Sequence, residues 1–393
     1  MMRVALELSD QKLILQSKKI IEMIKLKIKK NQSLFFDEYM QLALYTPQLG
    51  YYASAANILG ESGDFTTAPE LTSLFAACFA NSFSNILETI EDASILEFGA
   101  GSGQFALALL QSLAEKKLLP KNYYILEVNA YLKVRQQELL QQKMPDYFEC
   151  IKWLDELPKE NSFKGVIFAN EVIDAMPVVR FIKREHGINE LAVTVIDDQL
   201  ELIELPARDT VIEKVSKIES VLESKIANGY LSEINLWVEN WISALAGLLQ
   251  QGALFLVDYG YEQRDFYRSD RSMGTLQCYF QHKVHDDALW SPGVQDITAH
   301  VDFTAVAQAA VTAGLDFEGY TTQAAFLSNC GLDPLYQAHF AKLSTKLQLE
   351  LASKIKTLLM PGAMGEVFKV IAFSQNLKAD LEGFELNDLS YRL

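Results

Sequence analysis

Residues 95–105 read ILEFGAGSGQF: an apolar run interrupted by Glu97, then glycines at alternating positions, Gly99, Gly101 and Gly103. Such a run followed by a loop almost without side chains predicts a buried strand turning into a helix, with bare backbone left for a ligand. A triphosphate loop of the form G-x-x-x-x-G-K-[ST] needs a lysine, and none follows these glycines. A dinucleotide loop needs a third glycine where Gln104 stands, and Gly103 comes one residue early. Glu97 decides between the remaining ligands. A carboxylate at a strand tip repels a pyrophosphate but attracts a ligand carrying an ammonium and a sulfonium, and S-adenosylmethionine is such a ligand.

Outward from this loop the chain alternates. SILEFG is strand-like, 103–116 helical, YYILEV strand-like and 131–142 helical, and FECIKW and GVIFAN read as two more strands. That rhythm predicts an α/β fold with a doubly wound parallel sheet. YYILEV ends in Glu127, where an acid can accept both ribose hydroxyls of an adenosyl group; NAD would use an acid there equally well. A tight turn without ligand is the plain alternative for the glycines. The fact that the loop and both acids fall at successive strand ends favours a ligand, because open α/β sheets bind at strand ends.

The rhythm breaks at 178–205, where VVRFIKRE, ELAVTVID and LELIELP suggest antiparallel strands, followed by helical segments near 209–226 and 232–250. GALFLVDYG (252–260) resumes the buried-strand pattern, and GEVFKVIAFS (365–374) predicts a late strand. Residues 11–30 form an amphipathic pattern of leucines and isoleucines among lysines, read as a helix packed on its own domain. The expected division is an N-terminal helical cap and lid loop over 1–92, a core over 93–178 and 251–393, and an inserted α+β subdomain over 179–250.

Composition narrows the function. Hydrophobic residues make up 49% and charged residues 22% of the 393, an ordinary globular balance. The net charge of −16 argues against coating a nucleic acid, so no nucleic-acid partner is expected. No apolar run approaches the ~20 residues of a membrane span, so no membrane insertion is expected. The four cysteines, Cys78, Cys150, Cys278 and Cys330, lie far apart without metal-ligand spacing. With no leader-like N-terminus, the expected location is the cytoplasm.

Several segments together carry a family resemblance. They are FFDEYMQLALYTPQLGYY, GDFTTAPELTSLFA, FANEVIDAMPV, GALFLVDYGY, SPGVQDITAHVDF and MGEVFKVIAFS, spread over roughly 34–375. In them the chain resembles the MidA-like family of class I methyltransferases, which includes a mitochondrial complex I assembly-factor methyltransferase. Ala100 and Ser102 stand where that family often has Pro and Arg, and Asn129 where it often has Ser. The resemblance implies a Rossmann-like seven-stranded sheet and S-adenosyl-L-methionine as cofactor. It further implies transfer to arginine on a protein substrate, by analogy a respiratory-complex subunit. A binding or assembly protein that keeps the fold without turnover, and a small-molecule methyltransferase, are the alternatives.

The cofactor-binding set expected on these grounds is Asp64, Phe65, Thr67, Glu97, Gly99, Gly101, Gly103, Glu127, Val128, Trp153, Leu154 and Asn170. Asp64, Phe65 and Thr67 would form a lid, Trp153 would line the adenine pocket, and Asn170 would reach the methionine end. Glu171 and Asp174 are the expected catalytic pair. Three residues apart, they share a face if a helical turn begins there, and two carboxylates match the fork of a guanidinium. His282, His285 and His300 lie in a long loop without the spacing of a zinc site, so no metal is expected. His282, His300 and Asp258 are lesser candidates for a substrate-side base.

Overall fold

The apolar runs around 94–98, 163–170, 249–261 and 368–375 are rich in Val, Ile, Leu and Phe and bordered by helical periods. Strands of that composition are covered on both faces, which calls for a central sheet between helices. A computed structural model of the chain describes residues 8–54 and 67–393. It divides into two compact units. The core unit takes Thr66–Val172, Glu239–Gly260 and Phe303–Leu393; the second takes Met1–Phe65, Ile173–Val238 and Tyr261–Asp302.

The core sheet is built from β1 (Ser94–Phe98), β2 (Tyr123–Leu126), β3 (Ile151–Leu154), β4 (Phe163–Asn170), β5 (Leu249–Tyr261), β6 (Asp316–Thr322) and β7 (Phe368–Gln375). These strands lie in the order β6-β7-β5-β4-β1-β2-β3. β1 pairs parallel with β2 and β4, β2 with β3, and β4 with β5. β7 runs antiparallel to both β5 and β6. This is the class I methyltransferase arrangement, an α/β Rossmann-like sheet. Its strand order reverses between β1 and β4, the place where open sheets leave a crevice for a ligand. The register pairs Phe98 with Ala169, so the glycine loop and Asn170 leave the sheet side by side.

Helix α1 (Ser73–Thr89) covers one face of the core with a phenylalanine ladder. Phe79 lies 5.0 Å from Phe168 and 4.6 Å from Phe326, and Phe105 stacks on Phe168 at 4.3 Å. Aromatic pairs at such spacings add to the hydrophobic stabilisation of a core. The rings brace the underside of β4 and the start of α2 (Gln104–Glu115), the two elements that bound the crevice.

The second unit holds an antiparallel sheet in the order Leu34–Phe35, Gly187–Ile196, Val179–Arg184, Leu231–Ile234, with Gln199–Pro206 paired to Gly187–Ile196. Helix Gln11–Asn31 buries Ile20, Ile24 and Ile28 in that unit's own core, as its periodicity predicts. Lys25 ion-pairs with Asp198 at 2.5 Å. Among the described residues no helix is long and apolar enough to cross a membrane.

Some elements differ from the sequence reading. Residues 232–234, expected to open a helix over 232–250, lie in the strand Leu231–Ile234, and the helix begins at Val238. Pro145–Cys150 is a 3-10 turn, so β3 keeps only the last part of FECIKW. The late strand begins at Phe368 after a short helical turn at Met364–Val367. The units also cut the chain elsewhere than the expected division. Helix Ser73–Thr89 belongs to the core unit rather than to an N-terminal cap, and Tyr261–Asp302 groups with the second unit.

Candidate functional site

β1 ends at Phe98 and the chain turns through three glycines in the left-handed region, with φ of 63° at Gly99, 55° at Gly101 and 85° at Gly103. Side-chain-bearing residues seldom adopt this conformation, so the alternating glycines are what permit the loop. Gly99 N donates to Leu126 O at 3.0 Å, holding the loop against the end of β2. Gly103 is the N-cap of α2, and a Cβ there would lie 3.3 Å from Gln136 Cγ. Ser102 Oγ donates to Glu70 of the short helix Ala68–Leu71.

Glu127 follows β2 and holds both carboxylate oxygens in fixed bonds. Oε1 accepts from Asn129 N at 2.9 Å and Oε2 from Gln136 Nε2 at 3.0 Å. Burial pushes its carboxyl pKa up, against the downward pull of those bonds. Asn129 caps α3 (Ala130–Lys143), accepting from Tyr131 N and Leu132 N. Val128, beside Glu127, is 65% exposed, an apolar surface open for a ligand to cover. Trp153 and Leu154 close β3, both half-buried, and Trp153 Nε1 donates to Gln136 Oε1 at 2.9 Å.

Glu97 lies deeper than a strand-tip carboxylate would. It is 3% exposed and its Oε2 accepts from Tyr123 OH at 2.8 Å. Burial pushes its carboxyl up to about 8, with Tyr123 pulling down and the Glu127 charge pushing up. Burial outweighs the Tyr123 bond, so this site disfavours the charged carboxylate relative to a strand tip open to water.

At the end of β4, Asn170 Nδ2 donates to Glu171 Oε1 at 3.1 Å. Asn170 Oδ1 is buried with no hydrogen-bond partner among the described residues, an acceptor suited to the ammonium of an amino-acid ligand. Glu171 has φ of 53°, and its N–H donates to Val257 O at 2.9 Å. The helical turn expected from Glu171 does not form; a turn closes instead by Met176 N to Ile173 O at 3.1 Å. Asp174 belongs to the second unit and is 5% exposed. Its charge pushes the phenols of Tyr45 and Tyr52 up, though burial of those phenols is the larger cause.

The structure thus gathers Gly99, Gly101, Gly103, Glu127, Trp153 and Asn170 at adjoining strand ends of the core unit. Thr67 is the N-cap residue of Ala68–Leu71, while Asp64 and Phe65 lie outside the described residues. His282 is exposed, His285 packs edge-on to Trp290 at 5.6 Å, and the His300 ring lies 5.2 Å from Tyr261. Asp258 is buried and accepts from Tyr259 N at 2.9 Å. Sequence reasoning missed Glu70, Tyr123 and Gln136; Glu70 lies in GDFTTAPELTSLFA and Tyr123 opens YYILEV, whereas Gln136 lies in no motif singled out above.

A family model for S-adenosyl-L-methionine-dependent methyltransferases matches residues 74–321. A Burkholderia thailandensis protein crystallised with S-adenosyl-homocysteine is 34% identical, covers 99% of this chain and 100% of its own, and superposes with a TM-score of 0.91. The human protein arginine methyltransferase NDUFAF7, mitochondrial, is 27% identical over 379 residues, covering 88% of this chain and 81% of the relative. Its Danio rerio counterpart is 26% identical over 375 residues, covering 90% and 86%.

Proposed function

This chain belongs to the S-adenosyl-L-methionine-dependent methyltransferase family, and we propose that its acceptor is an arginine on a protein substrate. Bound S-adenosyl-L-methionine supplies a methyl group already activated by its sulfonium. The residues' tasks are then to bind, to align and to take a proton. Glu127 accepts the ribose hydroxyls, Trp153 and Val128 cover the adenine, and Asn170 Oδ1 accepts from the ammonium.

The observation that carries the acceptor class is Glu171. A carboxylate directly after β4 is held in the left-handed region, fixed by Asn170 on its side chain and by Val257 on its backbone. Such a conformation persists only where surrounding structure enforces it, and it occurs often at functional sites. A carboxylate there can hold a guanidinium at one edge and leave another nitrogen for the methyl. Asp174 is the second acid of this reading, which the names of the curated relatives support. A respiratory-complex subunit is the substrate class that the resemblance to the MidA-like family implies.

Incubating cell lysate with the enzyme and isotopically labelled S-adenosyl-L-methionine, then sequencing labelled peptides by mass spectrometry, tests this. Methylarginine is expected. Label on lysine or glutamine, or on small molecules alone, would overturn the acceptor.

A further inference from the structure

Helix α3 mixes polar and apolar residues without a distinct apolar stripe, and among its residues only Gln136 and Leu140 are buried. Gln136 is 0% exposed. Burying an amide is unfavourable unless its donors and acceptor are all used. Here they are. Nε2 donates to Gly101 O at 2.8 Å and to Glu127 Oε2 at 3.0 Å, and Oε1 accepts from Trp153 Nε1 at 2.9 Å. The amide has one workable orientation, since exchanging its oxygen and nitrogen would face oxygen to two acceptors.

Those three partners come from the glycine loop, the end of β2 and the end of β3. A carboxylate offers about four lone-pair directions. Asn129 N bonds one oxygen of Glu127 and Gln136 the other, and the Val128 backbone adds a further bond, which leaves a direction open for a ribose hydroxyl. Without Gln136 the carboxylate could turn about its last torsion, and the indole N–H would lose its acceptor, Gln136 Oε1. Gln136 also backs Gly103, where a Cβ would stand 3.3 Å from Gln136 Cγ.

We propose that Gln136 is a positioning residue for the adenosine end of the cofactor, holding the carboxylate of Glu127 in the orientation that accepts the ribose hydroxyls. This rests on Glu127 being the ribose acceptor, so the test separates the two statements. Calorimetry compares S-adenosylhomocysteine with its 2′,3′-dideoxyribosyl analogue on the wild type, Glu127→Ala, Gln136→Met and Gln136→Glu. Methionine keeps the volume without the polar atoms. Glutamate keeps an acceptor for Trp153 but cannot donate to both Gly101 O and Glu127.

The diol preference is the ratio of the two dissociation constants. Glu127→Ala is expected to abolish it. Both Gln136 variants should bind S-adenosylhomocysteine at least about tenfold more weakly, yet bind the dideoxy analogue within about threefold of wild type, so the preference falls. Equal weakening of both ligands would mean a structural role only and overturns the proposal. A collapsed preference in Glu127→Ala with an intact one in both Gln136 variants also overturns it, leaving the ribose assignment standing. An intact preference in Glu127→Ala overturns both. Should Gln136→Met not fold, Gln136→Glu, nearest in shape to the native side chain, carries the test.

Discussion

Tyr123 on β2 donates its hydroxyl to Glu97 on β1 at 2.8 Å, and both side chains are shut away from water. Burial outweighs that bond and pushes the Glu97 carboxyl up to about 8. In an unfolded chain the same group titrates near ~4.3. The folded unit therefore holds this proton more tightly than the unfolded chain. Its contribution to stability is fully present below ~4.3 and is lost as pH rises through about 8.

Glu97→Gln keeps an acceptor for Tyr123 and removes the titration. Relative to wild type, the melting temperature of this variant should rise steadily from pH 5 to pH 8, by on the order of 5 °C at the upper end. A parallel pH dependence in the two proteins would show that Glu97 is ionised without cost in the fold.

The glycine loop gives a binding prediction. Gly101 has φ of 55°, so Gly101→Val strains the backbone and puts a branched side chain where the cofactor lies against it. No binding of S-adenosylhomocysteine should be detectable by calorimetry, with the circular dichroism spectrum unchanged. Binding at wild-type strength would exclude the loop from the site.

In the second unit, Arg208 links two acids. Its Nη2 donates to Glu190 Oε2 at 2.7 Å and to both Asp37 oxygens at 3.0 Å, and Glu190 is 0% exposed. Removing the cation leaves a buried carboxylate without its partner, a change that typically costs about 3–5 kcal/mol. Arg208 is partly exposed, so Arg208→Met should cost less, roughly 2–3 kcal/mol in urea unfolding. The double variant with Glu190→Gln should recover part of that loss, because the stranded charge is gone. A larger loss in the double variant would contradict this account.

The core was legible because its strands are buried on both faces. SILEF and GVIFAN have no room for polar residues other than at their ends and at Glu97, and three alternating glycines serve no ordinary helix or strand. β6 escaped the sequence reading because DFEGYTT mixes two acids and a glycine, and its strand state comes from pairing with β7. The strand Leu231–Ile234 is not legible because LSEI is too short to display a period against the helical run that follows. Within the site, Glu127 could be found from its place after a strand. Gln136 could not, since one of four glutamines on a helix without a distinct apolar stripe gives no sign that it is buried. Nor does the local sequence announce that Glu171, rather than a glycine, takes the left-handed turn.

That turn leads to the last prediction. An arginine arrives at the site charged, because its pKa exceeds ~12, and its delocalised electrons make it a poor nucleophile. A carboxylate that holds the charge at one edge, and accepts a proton as the new bond forms, lowers the barrier without altering cofactor affinity. Glu171→Gln keeps the acceptor for Asn170 Nδ2 and removes the charge. Methyl transfer to the identified substrate should fall at least about a hundredfold, while affinity for S-adenosylhomocysteine stays within about threefold. Asp174→Asn should lose activity likewise, and the double variant should be little worse than the weaker single if the acids act as one unit. Glu171→Gly offers an independent check. Relief of a left-handed residue, about 1–2 kcal/mol, roughly offsets the chain entropy that glycine adds, so stability should hardly change. Transfer should still collapse. If Glu171→Gly instead retained wild-type turnover, the carboxylate would have no part in the chemistry, and the left-handed turn itself would be what the site requires at position 171.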